Sequence, residues 1–151
     1  MKLAEALALR GDIQKKIATL RTRIARSALV QEGVKPAEDA EKLLKEAMGA
    51  LEDLRKLLVR INLANTRAKL PDGRNLTEAV AERDTLIAQH SLLTHSIEAS
   101  QKDPDRYSNA EIKWISTLPI SRLHKQLDDT AKNIRVLNLA IQKANWDNDL
   151  E

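Results

Sequence analysis

Apolar residues recur along this chain at intervals of three and four, the repeat of a single helix face. Ile13, Ile17, Leu20 and Ile24 set a register that extends back through Arg10, Ala6 and Leu3. It predicts a first helix over about residues 2–31. Glu32-Gly33-Val34-Lys35-Pro36 ends it, with Gly33 suited to a left-handed cap and Pro36 unable to continue. Leu44, Ala47, Leu51, Leu54, Leu58 and Ile61 carry the same alternation and reach Asn65, predicting a second helix over about residues 37–65. Leu51, Leu54 and Leu58 are expected to be buried together with Ile134 and Leu137. Leu70-Pro71-Asp72-Gly73 is a turn by its chemistry: proline presets a dihedral, aspartate bonds nearby backbone and glycine accepts a positive φ. A short β-hairpin near 66–76 is therefore expected.

Asn75 followed by Glu78 forms a capping box and opens a third helix, to about residue 100. Val80, Ile87, Thr94 and Ile97 line one side of it, with Leu86, His90 and Leu93 beside them. The last helix follows Pro119 to about residue 145, with Ile120, Leu123, Leu127, Thr130, Ile134, Leu137, Ile141 and Ala144 as its seam. Between these two helices, Ile112 to Thr117 is rich in β-forming residues, and an extended segment is expected near 111–117. Ser108 and Glu111 also fit a capping box, so a short helix competes there. Four long helices with short connections imply a single all-α domain over 1–151, an antiparallel four-helix bundle. In that topology the N-terminus, the Leu70 turn and the Trp146 tail share one end.

Composition supports narrow seams. Aromatics are 2% of the chain, phenylalanine is absent and 31% of residues are charged, so leucine, isoleucine and alanine must make the core. There is no cysteine, which rules out disulfides and thiolate metal sites and suits a reducing cytoplasm. The first turns carry Glu5 and Arg10, and no apolar run has the length of a signal core or a membrane span. A cytoplasmic location is the expectation.

The landmarks taken in order resemble a small bacterial family that goes by the name septicolysin. They are Met1-Lys2-Leu3-Ala4-Glu5-Ala6-Leu7, Val30-Gln31-Glu32-Gly33, Asp72-Gly73 with Leu76-Thr77, Arg83-Asp84, Tyr107-Ser108 with Glu111-Ile112-Lys113, and Asn145-Trp146. The resemblance implies an all-helical bacterial protein, and the family name implies membrane lysis. It brings no active site with it.

No motif assigns an activity. The three histidines, His90, His95 and His124, form neither the His-x-x-x-His pair nor the Glu-x-x-His pattern of metal-binding bundles. A nucleophile elbow and a phosphate loop are missing, so neither catalytic residues nor a cofactor is expected. Residues 1–35 hold eight cations against three carboxylates, net +5, while the whole chain is +3. Phosphate binding by this basic helix is one reading, and pairing with the acidic start of the second helix is the other. Leu43, Leu57, Leu63, Leu92 and Leu139 lie beside the seams and are candidates for an interface. The preferred function is a non-enzymatic structural or protein-interaction module that self-associates, at least as a dimer. The alternatives are a nucleic-acid-associated protein and a membrane-active, lysin-like one. Arg83, Asp84, Tyr107, Glu111, Lys113, Trp114 and Trp146 are the candidate interaction or polar-pocket residues.

Overall fold

The computed structural model describes residues 1–101 and 114–150. It contains four helices in the order α1 (Leu3–Ser27), α2 (Ala40–Arg67), α3 (Leu76–Gln101) and α4 (Ile120–Asp147), and no strand among the described residues. The all-α expectation holds. The chain divides into two compact units, Met1–Lys69 with Lys143–Glu151, and Leu70–Gln142.

In the first unit α1 and α2 pack against each other. The α1 seam keeps the register of the sequence: Leu3, Ala6, Leu20 and Ser27 are buried, and Arg10, Ile13, Ile17 and Ile24 are half-buried. The Glu5 carboxylate accepts the Lys2 backbone N–H at 2.7 Å and satisfies the start of the helix. α1 stops at Ser27, short of the expected end near residue 31. Gly33 does not cap it. With φ +82 it is instead the third residue of a turn closed by Val34 N–H to Gln31 O at 3.0 Å.

α2 begins where Asp39 accepts the Lys42 N–H at 3.1 Å. Its buried row is Leu43, Ala47, Ala50, Leu57, Ile61 and Ala64, with Leu54 and Leu58 half-buried. The expected grouping of Leu51 with Leu54 and Leu58 in the core is thus corrected: Leu44 is 52% exposed and Leu51 44%. Leu43 and Leu57, expected beside the seam, are core residues at 6% and 5%. The buried row holds the alanines, whose small side chains let two helix axes approach closely. Leu20, Leu43 and Ala47 form one core cluster, with Ile24 against it. Two ion pairs tie α1 to the acidic start of α2: Lys16 to Glu46 at 2.8 Å, and Arg23 to Glu38.

The two ends of the chain meet in this unit. Leu3 N–H donates to Asn148 O at 3.0 Å, and Leu150 N–H to Met1 O at 2.7 Å. Lys2 Nζ lies 2.9 Å from Asp149 Oδ2, and Leu3 and Leu150 are buried. The sequence placed both termini at one end of the fold, and they pair.

The second unit opens with the turn. Gly73, at φ +89, donates to Leu70 O at 3.0 Å, Leu70 N–H donates to Arg74 O at 2.8 Å, and Asp72 Oδ1 accepts the Arg74 N–H at 3.1 Å. The expected hairpin over 66–76 is cut down to this turn with isolated bridge residues at Lys69 and Asn75, because α2 runs through Arg67 and α3 starts at Leu76. The capping box of α3 forms as expected: Asn75 N–H to Glu78 Oε2 at 2.7 Å, and Glu78 N–H to Asn75 Oδ1 at 2.9 Å. The inward row of α3 is Leu76, Ala79, Arg83, Leu86, His90, Leu93, Ile97 and Ser100, all buried or half-buried. Ile87, expected on the seam, is 48% exposed. Every expected seam position of α4, from Ile120 to Ala144, is buried or half-buried.

Candidate functional site

The outer face of α2 carries a row of exposed apolar side chains. Leu44, Met48, Leu51, Val59 and Leu63 are 44–60% exposed. At about 100° per residue they fall in one sector of about 120°, centred some 145° from the buried row. Glu52 and Arg55 interrupt the row and pair with each other at 2.7 Å, and Lys56 reaches the same carboxylate at 3.8 Å. The Arg55 guanidinium holds the Glu52 carboxyl below the usual carboxylate range, and its own pKa is raised in return. The row is thus apolar toward its two ends and charged at its centre.

The second unit holds a groove of about 480 Å³ between the turn, α3 and α4. Leu70, Pro71, Leu86, Val136, Leu137 and Ala140 form its apolar walls, and Asp72, Arg74, Glu82 and Asn133 its polar edge. Arg74 is shared by two carboxylates: it bonds Asp72 Oδ2 at 2.5 and 3.0 Å and is paired with Glu82. The guanidinium holds the Asp72 carboxyl below its ordinary value, with help from the Arg74 backbone N–H. This triad fastens the turn to α3. It leaves each carboxylate engaged, so it offers fixed charge rather than a free general base. Arg74, Glu82 and Asn133 carry no signal in the sequence, since they lie eight or more positions apart and meet only through the fold.

The residues singled out from the sequence do not converge on one place. Arg83 sits on the inward row of α3 and pairs with its neighbour Asp84 at 2.7 Å. Trp114 is 76% exposed in a segment with no regular structure, and Trp146 is 60% exposed on α4. Tyr107, Glu111 and Lys113 lie outside the described residues, as does part of the expected extended segment; residues 114–117 contain no strand. Leu63, Leu92 and Leu139 are exposed at 51%, 68% and 67%. His90 is half-buried on the α3 row, while His95 and His124 are exposed. His95 Nδ1 lies 2.8 Å from Ser91 O. Among the described residues no group of three His, Cys, Asp or Glu is placed to hold a metal, and no helix is long and apolar enough to cross a membrane.

The fold has a solved counterpart. The crystal structure of a functionally unknown conserved protein from Corynebacterium diphtheriae is 34% identical, with a TM-score of 0.92, and the match covers 100% of this chain and 99% of that one. No curated protein matches the chain. Residues 10–150 match a family described as a family of unknown function, DUF6847. The chain belongs to that family.

Proposed function

We propose that this protein is a cytoplasmic, non-enzymatic helical module that works by self-association. The observation that carries this reading is the outer apolar row of α2. Leu44, Met48, Leu51, Val59 and Leu63 are all at least two-fifths exposed on a helix whose opposite side already supplies the core. Leaving five such side chains in water forgoes roughly 25 cal/mol for each Å² that a partner would cover. Phosphate binding by α1 is the weaker reading, because Lys16 and Arg23 already carry carboxylates from the second-helix region. The septicolysin resemblance would make the protein membrane-active, and release of trapped dye from liposomes at micromolar protein would favour that reading instead. Light scattering at tens of micromolar tests self-association. The expected mass is at least twice the 16.9 kDa of one chain, and a mass of 16.9 kDa overturns the proposal.

A further inference from the structure

The outer face of α2 is nearly palindromic. About the point between Asp53 and Leu54, Leu44 mirrors Leu63, Met48 mirrors Val59, and Glu52 mirrors Arg55. The charges are polarised about the same point. From Glu38 to Asp53 there are two lysines against six carboxylates, net −4, and from Leu54 to Lys69 there are five cations and no carboxylate, net +5. We infer that the occupant of this face is a second copy of α2, laid antiparallel about a two-fold axis at that point. This rests on the self-association reading above and names the surface that performs it.

The pairing satisfies both apolar and charged positions. Leu44 meets the partner's Leu63 and Met48 meets the partner's Val59 on each side of the axis, so all four residues lose water together. Glu52 and Arg55, already joined within a copy at 2.7 Å, lie nearest the axis. Each guanidinium there gains a second carboxylate, and each Glu52 carboxylate, already shared by Arg55 and Lys56, a further guanidinium. Lys56 faces the partner's Leu51 and can cover it with its aliphatic stem. Toward the ends, the acidic start of one α2 runs beside the basic end of the other. A parallel arrangement would set acid on acid and base on base, which costs several kcal/mol in a close interface. A two-fold operator needs self-complementarity of this kind, in which one residue meets another and the reverse contact repeats it.

The chain has no cysteine, so introduced thiols are the only ones present. Leu44→Cys and Leu63→Cys proteins are mixed, equilibrated reduced and then oxidised. The expected main product is the disulfide that joins one variant to the other, in excess of either variant joined to itself. In the antiparallel register Leu44 is about 28 Å of helix from its own symmetry mate at about 1.5 Å per residue, far beyond disulfide reach. Predominance of Leu44→Cys chains joined to each other overturns the antiparallel arrangement. Charge supplies the second arm. Glu52→Arg or Arg55→Glu alone should weaken association tenfold or more, and the two together should restore most of it. A dimer indifferent to both reversals, with no disulfide between the two cysteine variants, overturns this interface while leaving self-association intact. A wild-type protein monomeric at tens of micromolar overturns both.

Discussion

The helices α1 and α2 pack against each other in one hairpin, yet α1 turns one apolar row inward while α2 carries two and buries only one of them. Outside its seam, α1 exposes Leu9 as its single large apolar residue; α2 exposes Leu44, Met48, Leu51, Val59 and Leu63. The difference teaches how a helix without aromatics selects its inner face. Leucine count hardly separates the two sectors of α2: Leu44, Leu51 and Leu63 lie outside, and Leu43, Leu54, Leu57 and Leu58 inside. The inner sector wins through Ala47, Ala50 and Ala64, which permit close approach to α1, and through the ion pairs of Glu38 and Glu46 at its edge. What remains outside is a second hydrophobic row, exposed along α2.

The sharpest way to break this comparison is to delete side chains from both faces. Leu20→Ala in α1 and Ile61→Ala in α2, at 1% and 2% exposure, should each cost about 2–5 kcal/mol in urea melts. Leu51→Ala, on the outer face, should cost under about 1 kcal/mol when measured at submicromolar protein. Equal losses for Ile61→Ala and Leu51→Ala would mean that α2 has no outer face.

Association gives the next largest effect. Met48→Lys on α2 should weaken self-association by about tenfold or more, near 1.4 kcal/mol. Leu9→Lys on α1, an isolated exposed position, should leave the mass measured by light scattering unchanged. The reverse pattern would move the interface to α1.

Glycines sharpen the contrast in backbone terms. A Cβ at Gly11 of α1 or Gly49 of α2 meets no atom within 4 Å. Each Gly→Ala change should therefore raise stability by about 0.5–1 kcal/mol through helix propensity. Gly33→Ala in the intervening turn should instead destabilise by about 1 kcal/mol, since φ is +82 there. Thermal melts of the three variants check the signs.

The smallest effect is the pH dependence of the pairs between α1 and α2. Hydrogen bonds from Arg23 and Lys16 hold Glu38 and Glu46 below the ordinary carboxylate value of 4.5. A lowered folded-state pKa stabilises fully above the unfolded value and is lost as pH falls through the folded one. Stability should thus fall modestly as pH drops below about 4.5, and Glu38→Gln with Glu46→Gln should flatten that part of the curve. An unchanged slope would show that these exposed pairs contribute nothing.

Much of the molecule was legible in its residues. One apolar row with polar flanks leaves a helix a single face to bury, so the registers of α1 and α4 could be assigned position by position. Local chemistry was equally readable. Asn75 and Glu78 bond each other reciprocally, and Asp72 and Gly73 build their turn, because each needs only neighbours within a few residues. The candidate site was far less legible. Arg83 and Asp84 pair with each other, and the Asp72–Arg74–Glu82 triad carries no spacing signature along the chain.

The sequence by itself determined that the chain is four helices, where the α3 cap and the turn before it fall, and that its two termini share an end. These follow from periodicity and from hydrogen bonds that close over short loops. Only the tertiary structure decided which of two apolar rows on α2 faces α1, that Leu43 and Leu57 are core while Leu44 and Leu51 are surface, and that Ile87 yields its place to Leu86. Adjacent rows on one helix differ in rotation by a fraction of a turn and hardly at all in hydrophobicity. Their competition is settled by how closely the neighbouring helix can approach, a property of two surfaces that neither segment contains alone.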